Sequence, residues 1–260
     1  MTVRHAQSFP VMGTVASVQV IGQAAAEPLA RAIDGCAGVL HRADRVFSMY
    51  DERSDIRRMA RGERRLADAD LWVTEVAGRC RRFADETGGL FDAHLRGFFD
   101  PTGLVKGWAT ERAMHEHLAP LLLLPGVHAV GLGVGGDVQV RTAAGSDWVW
   151  NIGIVDPADR TQVLATVPVR DGAVATSGSA ERGDHIIDPR RSAPAAGIRS
   201  ATVVCNSLTR ADVWATAVVA AGDDLSWLPR ATGTTGLLVD VHGGVRRWID
   251  GVTVDVQPAA

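Results

Sequence analysis

Two side-chain oxygens stand four residues apart in the otherwise apolar segment 208–222, LTRADVWATAVVAAG. Asp212 and Thr216 would lie on one face of a helix, one turn apart. A carboxylate and a hydroxyl so arranged can hold a hard divalent cation such as Mg²⁺, whose remaining coordination positions are filled by water and substrate phosphate. The alternative is structural, because Thr209 and Asp212 have the spacing of a capping box, and Thr216 can bond the carbonyl four residues before it. The spacing alone leaves both interpretations open.

The sole lysine lies in a second segment that could do chemistry, LFDAHLRGFFDPTGLVKGW at residues 90–108. Of the 27 basic residues all but Lys106 are arginine. Either this position needs the compact charge of an ammonium group, or a single lysine has been retained by chance. Asp92 and Asp100 lie near the same Pro-Thr-Gly turn, and the acids, the turn and the lysine together could surround a nucleotide. The alternative is an exposed loop in which Asp100 only starts a proline turn.

A third segment, GAVATSGSAERGDHIIDPRR at residues 172–191, combines an anion-binding turn with a histidine. After an apolar strand, the backbone amides around Thr176 and Ser177 can gather about an anion. His185 titrates near neutrality and precedes a short strand, so its imidazole could face a cleft and act as a general base. The alternative is that His185 is a structural histidine.

Two further motifs are predicted to carry no chemistry. GLGVGG at residues 131–136 matches a dinucleotide-binding fingerprint by letter, but that fingerprint requires a helix after its last glycine. A strand pattern follows here, so we predict a hairpin turn between strands. His115 and His117 lie two residues apart on a helix and point in different directions, so we expect them at the surface rather than on a metal.

Composition narrows the classes of function. The formal net charge is −3 and no basic stripe is visible, which argues against nucleic-acid binding. The longest aliphatic run, at residues 121–124, is far shorter than the roughly 20 apolar residues of a membrane-spanning helix, so no stable membrane insertion is expected. The N-terminal residues show no export signal, and three widely spaced cysteines suit reduced thiols, which together predict a cytoplasmic protein.

The elements that must position these residues change character along the chain. Alternation predicts a strand at residues 9–21, and the second half contains mostly short strands. The predicted helices span residues 26–48, 70–89, 104–122, 208–222 and 224–231. Helices grouped early and strands grouped late indicate an α+β fold. The absence of a linker predicts a single domain over residues 1–260.

Taken together and in chain order, these segments resemble the ApbE-type FAD:protein FMN transferases. The resemblance covers nearly the whole chain and includes both the sole lysine and the sole tyrosine. The matching elements are VMGT (11–14), FSMY (47–50), LFDAH (90–94), DPTGLVKGWA (100–109), GVGGDV (133–138), ATSG (175–178), HIIDP (185–189) and TRADVWATA (209–217). The resemblance implies an ApbE-like, T-fold-like domain in which helices pack on antiparallel or mixed sheets.

The same resemblance implies a reaction and a set of site residues. The reaction is the Mg²⁺-dependent transfer of FMN from FAD to a Ser or Thr hydroxyl of an acceptor protein, with release of AMP. Asp212, Thr216 and the carbonyl of Gly103 match metal ligands, while His185 matches the catalytic base and Asp212 also serves catalysis. The positions that match FAD contacts are Met12, Tyr50, Leu90, Phe91, Asp92, Asp100, Lys106, Thr176, Ser177 and Ile186.

Two other functions stay open on the sequence alone. An FAD pyrophosphatase with the same site would use water as the acceptor and release FMN and AMP. A flavoprotein that binds FAD without cleaving it is the second alternative. Asp212 and Thr216 argue against the second, because such a protein needs no metal at the diphosphate.

Overall fold

An antiparallel sheet of nine strands runs through the molecule in this computed structural model, which describes residues 3–178 and 186–254. The strands of the described chain are β1 Arg4–Val11, β2 Thr14–Gly22, β3 Val127–Val134, β4 Asp137–Thr142, β5 Trp150–Val155, β6 Val163–Val169, β7 Gly172–Gly178, β8 Ile187–Asp188, β9 Ala193–Pro194, β10 Ile198–Cys205, β11 Thr235–Asp240, β12 Val245–Ile249 and β13 Val252–Val254. Their order across the large sheet is β1-β2-β3-β4-β7-β10-β11-β12-β13, and each neighbouring pair is antiparallel. β5 and β6 form a separate hairpin, and β8 and β9 form a short pair.

The helices follow the sequence prediction closely. Within the described chain they are α1 Ala26–Phe47, α2 Asp55–Ala60, α3 Leu71–Glu86, α4 Thr102–Ala113 and α5 Leu208–Ala221. After α4 the chain continues through a π-helical turn and a 3₁₀ turn to Leu123, so the predicted segment 104–122 is helical throughout. The segment 224–231 is not a helix, because only the 3₁₀ turn Leu228–Arg230 forms there around Pro229. The prediction of an α+β fold is confirmed.

Alternation along the strands gives the large sheet two different faces. On one face, Val18 of β2 packs into a core shared with α1, α3 and α4, and Val203 of β10 packs beneath α5. The other face is covered by the β5–β6 hairpin, whose Trp150 packs against Ala129 of β3. An ideal Cβ placed on Gly131 would lie 3.2 Å from Trp150. Glycine at this position therefore lets the hairpin approach the sheet.

The first strand differs from its prediction. A single strand over residues 9–21 is wrong, because the chain reverses at Met12 and Gly13, whose φ angles are 53° and 69°. A left-handed φ is uncommon for a residue other than glycine. At Met12 it is supported by the backbone N–H, which donates to Asp44 Oδ2 of α1 at 3.1 Å. Met-Gly is not a usual hairpin pair, and regular alternation on both sides hid the turn.

The GLGVGG segment forms the predicted hairpin. β3 and β4 join through Gly135 and Gly136, whose φ angles of 59° and 96° suit a tight two-residue turn. Of the two histidines of the HEH segment, only His115 is fully at the surface as expected. His115 is exposed and its Nε2 lies 3.0 Å from an Arg141 nitrogen, while His117 is half-buried.

Within the described residues, no helix is both long enough and apolar enough to traverse a lipid bilayer.

The three cysteines are unpaired, and their environments predict low reactivity. Burial raises the pKa of the Cys36 and Cys80 thiols to about 12, and it also raises the pKa of Cys205. Because the thiolate is the reactive form, thiols with raised pKa values stay protonated near pH 8. We therefore expect iodoacetamide to leave Cys36 and Cys80 unmodified in the native protein and to alkylate both in denaturant, as read by mass spectrometry. Rapid labelling of either under native conditions would contradict the described burial.

Candidate active site

A cavity of about 610 Å³ opens where α4, α5 and the end of β7 meet the turns of two hairpins. It brings together segments from Gly13 to Ala220, which lie more than two hundred residues apart in the chain. The lining includes eleven of the residues predicted from the sequence: Leu90, Phe91, Asp92, Asp100, Gly103, Lys106, Thr176, Ser177, Ile186, Asp212 and Thr216. The polar residues of three separate sequence segments thus face one space.

Asp212 lies at the inner wall of this cavity with only 3% of its surface exposed. Its Oδ2 accepts the backbone N–H of Gly107 at 2.9 Å, and its Oδ1 lies 3.2 Å from Lys106 Nζ. Both oxygens therefore face α4 rather than the start of their own helix. The capping-box alternative is excluded, because α5 is capped by Ser207, whose Oγ accepts the N–H of Arg210 at 3.2 Å.

Thr216 follows Asp212 by one turn of α5 and also lines the cavity. Its Oγ1 lies 3.1 Å from Ser177 Oγ on β7. The hydroxyl is therefore directed from the helix towards the sheet, as the predicted site requires. Asp212, Thr216 and Ser177 present a carboxylate and two hydroxyls to the same region.

Gly107 allows α4 and α5 to approach closely enough for this geometry. An ideal Cβ placed on Gly107 would lie 2.7 Å from the Leu208 carbonyl oxygen and 2.9 Å from Asp212 Cβ. Real Cβ atoms do not approach other atoms so closely, so any side chain at Gly107 would push the two helices apart. The sequence prediction did not single out Gly107, because a helical glycine carries no signal of what lies opposite it.

Two glutamates hold α5 in position from neighbouring helices. Glu86 Oε1 of α3 accepts Arg210 Nε and Trp214 Nε1, each at 2.8 Å. Glu111 Oε2 of α4 accepts Ser207 Oγ at 2.9 Å and the Thr209 N–H at 3.0 Å. Thr209 Oγ1 also donates to Glu111, so the threonine that suggested a capping box instead links α5 to α4. These bonds fix the rotation of α5 and hence the direction of Asp212.

A chain of ion pairs through the half-buried Lys106 connects the two helices to the sheet. Lys106 Nζ forms ion pairs with Asp212 of α5 and with Asp137 at the start of β4. Asp137 is only 1% exposed, and its Oδ1 accepts the Thr176 N–H of β7 at 3.0 Å. Asp137 directly follows the predicted GLGVGG turn and was not among the predicted site residues. Its register opposite Val134, on the face that carries the helices, is the signal that could have identified it.

The two other predicted carboxylates make local hydrogen bonds as well as lining the cavity. Asp100 Oδ1 accepts the Thr102 N–H at 3.1 Å and the Thr102 hydroxyl at 2.6 Å, which satisfies the first turn of α4. Asp92 Oδ1 accepts the His94 N–H at 2.8 Å. Asp100 therefore has a local structural role at the start of α4, and its contact with a ligand stays a prediction.

Three predicted site residues do not lie in the described lining. Tyr50 is 93% exposed and does not reach the cavity. Met12 packs against the helical core, and only the residues that follow it, Gly13 and Thr14 among them, line the cavity. His185 lies outside the described residues. The roles of these three residues stay predictions.

The lining also contains residues that the sequence analysis did not assign. The turns at Gly13 and at Gly135 present backbone to the cavity, and two cations, Arg96 and Arg160, complete the charged part of the wall. An ideal Cβ on Gly135 would lie 3.2 Å from Thr14 Oγ1, so the two turns pack directly against each other. VMGT and GVGGDV lie far apart in the sequence, and only the fold reveals that they form adjacent parts of one wall.

Comparisons with known proteins were made by sequence and by structure. A model of the ApbE family matches residues 97–236, more than half of the chain. The chain is 35% identical over 125 residues to an FAD:protein FMN transferase of Rhodobacter capsulatus, and 38% identical over 110 residues to one of Treponema pallidum (strain Nichols). These alignments cover 45% and 38% of this chain but only 23% and 30% of the relatives. The crystal structure of the ApbE protein from Thermotoga maritima has the same fold, with a TM-score of 0.79, 22% identity, and coverage of 94% of this chain and 97% of that one.

Proposed function

This chain belongs to the ApbE family, and from that premise we propose that it is a Mg²⁺-dependent FAD:protein FMN transferase. The reaction would move FMN from FAD to a Ser or Thr hydroxyl of an acceptor protein and release AMP. The two curated relatives carry this activity in their names. The observation that carries the proposal is the meeting of Asp212, Thr216, Lys106 and Ser177 in one cavity large enough for a dinucleotide.

The oxygen donors in the cavity fit Mg²⁺ better than a transition metal. Asp212 and Thr216 supply a carboxylate and a hydroxyl, and such hard oxygen ligands suit Mg²⁺. In residues 3–178 and 186–254, no three His, Cys, Asp or Glu side chains cluster as metal ligands. A Mg²⁺ held here would therefore complete its shell with water and substrate phosphate, and would offset charge on the diphosphate and on the departing AMP.

The carbonyl of Gly103 is the third ligand in this proposal. Gly103 lies in the first turn of α4 and lines the cavity. In a regular α-helix its carbonyl accepts the N–H of the residue four positions later, which is Gly107. Because that N–H donates to Asp212 Oδ2, the Gly103 oxygen retains capacity for a cation.

The transfer step needs a general base, and it needs the FMN phosphorus atom held in position for attack. The acceptor hydroxyl oxygen would attack the FMN phosphorus, the anhydride bond to AMP would break, and the hydroxyl proton would pass to His185. A positioned base of this kind contributes about 10²- to 10⁴-fold in rate. Gly178 and Ile186, the described residues on either side of the segment that contains His185, both line the cavity and support this assignment. Ser177 and Thr176 would orient phosphate oxygens from β7.

The remaining assignments concern the body of FAD. Leu90, Phe91 and Ile186 are buried apolar residues of the wall and would pack against the flavin or adenine ring. Asp92 and Asp100 would accept hydrogen bonds from ring or ribose groups, while Met12 and Tyr50 are proposed on resemblance alone. The Lys106 ammonium would hold Asp212 in place through its two ion pairs.

The release of AMP separates the proposed function from its alternatives. We expect the purified protein to release AMP from FAD when Mg²⁺ and an acceptor protein with a Ser or Thr flavinylation site are both present, and not when EDTA replaces Mg²⁺. Chromatography would follow AMP, and mass spectrometry would detect FMN on the acceptor. Equal amounts of AMP and free FMN without any acceptor would favour the pyrophosphatase. FAD binding with no AMP under any of these conditions would favour the non-cleaving flavoprotein.

A further inference from the structure

Of the residues that the structure describes, three cationic side chains line the cavity, and they differ in what already neutralises them. Lys106 is paired with Asp137 and Asp212. Arg96 lies 3.8 Å from Asp100. Arg160 forms no ion pair or hydrogen bond through its side chain with any residue of 3–178 or 186–254. Among the described residues, Arg160 is therefore the cavity cation whose charge is free for a ligand.

Arg160 reaches the cavity from the loop of the β5–β6 hairpin, residues 156–162. The hairpin is fixed against the large sheet by Trp150 and Ile154. The loop is closed by two backbone hydrogen bonds, from the Asp156 N–H to the Gln162 carbonyl at 3.0 Å and from the Gln162 N–H to the Asp159 carbonyl at 2.9 Å. The position of Arg160 is thus set by an ordered turn on a packed hairpin.

The carboxylates of this loop bind the loop itself and leave Arg160 unpaired. Asp159 Oδ1 accepts the Thr161 hydroxyl at 2.6 Å and the Thr161 N–H at 3.0 Å, and these bonds lower the pKa of Asp159. Asp156 Oδ1 accepts the Ala158 N–H at 2.7 Å. Both side chains are therefore already satisfied by hydrogen bonds within the turn.

We infer that Arg160 binds the diphosphate of FAD, an inference that rests on the proposed function. Asp92, Asp100 and Asp212 line the cavity and would repel an anionic ligand, and the charge of Lys106 is shared between two carboxylates. A diphosphate needs a compensating cation, and a guanidinium can bond two phosphate oxygens at once. The competing occupant is an acidic side chain of the acceptor protein, and it would leave FAD binding untouched.

Arg160→Gln tests this inference when FAD and riboflavin are compared as ligands. Binding would be measured by calorimetry with EDTA present, so that turnover does not consume FAD. We expect the Kd for FAD to rise about tenfold or more, the loss expected when one charge-assisted contact is removed. The Kd for riboflavin, which has no phosphate, would not change. Arg160→Lys should restore part of the FAD affinity, because lysine keeps the positive charge but lacks the guanidinium group that can bond two phosphate oxygens at once.

Arg247→Gln is the matched control, because Arg247 is an exposed arginine of β12 that does not line the cavity. It should leave both affinities at the parent values. An unchanged FAD affinity in Arg160→Gln would overturn the inference, including the case in which only transfer to the acceptor slows. An equal loss for riboflavin would overturn it too, since it would indicate a role in shaping the cavity.

The proposed transferase function and the assignment of Arg160 to the diphosphate can fail independently in these experiments. Suppose that the parent protein binds FAD but never releases AMP, and that Arg160→Gln loses affinity for FAD but not for riboflavin. Arg160 then binds the diphosphate, while the transferase proposal fails. If the parent releases AMP and Arg160→Gln binds FAD normally, the transferase proposal stands and the assignment of Arg160 fails. A parent that binds no FAD would overturn both.

Discussion

Asp212→Asn is expected to lower the rate of Mg²⁺-dependent AMP release by about 10³-fold, because charge stabilisation by a bound metal is worth several kcal/mol and each 1.36 kcal/mol is a factor of ten. Asparagine keeps the shape of the side chain and an oxygen that can accept the Gly107 N–H. It removes the negative charge that would hold the cation. The measurement is AMP release as a function of Mg²⁺ concentration.

The control for this variant must separate catalysis from folding. Lys106 keeps Asp137 as a partner in Asp212→Asn, so the half-buried ammonium group is not left uncompensated. Thermal unfolding and FAD affinity should both stay close to the parent. Asp147→Asn alters an exposed carboxylate that does not line the cavity and should have no effect. Parent-like AMP release by Asp212→Asn would leave Asp212 with only a structural role.

Gly107→Ala is expected to destabilise the protein by about 1–3 kcal/mol, the usual range for forcing extra volume into a packed interior. The added methyl group would meet the Leu208 carbonyl oxygen and Asp212 Cβ inside van der Waals distance. Relief requires α5 to move away from α4, which displaces Asp212. AMP release should therefore fall together with the free energy of unfolding, as measured by chemical denaturation and the AMP assay.

Gly38→Ala provides the matched substitution in another helix interior. Gly38 is an exposed residue of α1, and an ideal Cβ placed there has no neighbour within 4 Å. Alanine at such a position stabilises by about 0.4–1 kcal/mol, because it restricts the unfolded chain and favours the helix. If both variants gained stability, the close approach of α4 and α5 at Gly107 would be wrong.

Many of the helices and strands could be predicted because the periodic spacing of apolar residues is visible in the sequence. The amphipathic spacing of α1 and α3 and the apolar run of α5 each specify a helix without tertiary information. The hairpin at Gly135 and Gly136 could be predicted for the same local reason, since a strand pattern continues beyond the glycines. The turn at Met12 could not, because its left-handed φ depends on a hydrogen bond that its N–H donates to Asp44 of α1, 32 positions away.

Site residues could be predicted from the sequence where they lie on the same helix. They could not be predicted where their role depends on packing between different elements. Asp212 and Thr216 are one turn apart on α5, so their common direction follows from helical geometry. The Asp137–Lys106 ion pair joins β4 to α4 and has no local signal in the sequence. Gly107 was missed because its importance comes from the residue opposite it. Tyr50 was placed by resemblance, and the fold leaves it exposed and away from the cavity.

The most direct test of the central claim is to locate the cation. Mn²⁺ takes the same hard oxygen ligands as Mg²⁺ and gives an anomalous X-ray signal. We expect crystals soaked with FAD and Mn²⁺ to show an anomalous peak in contact with Asp212 and Thr216 and with the diphosphate of the bound dinucleotide. A dinucleotide bound elsewhere, or a peak away from these two side chains, would contradict the proposed mechanism.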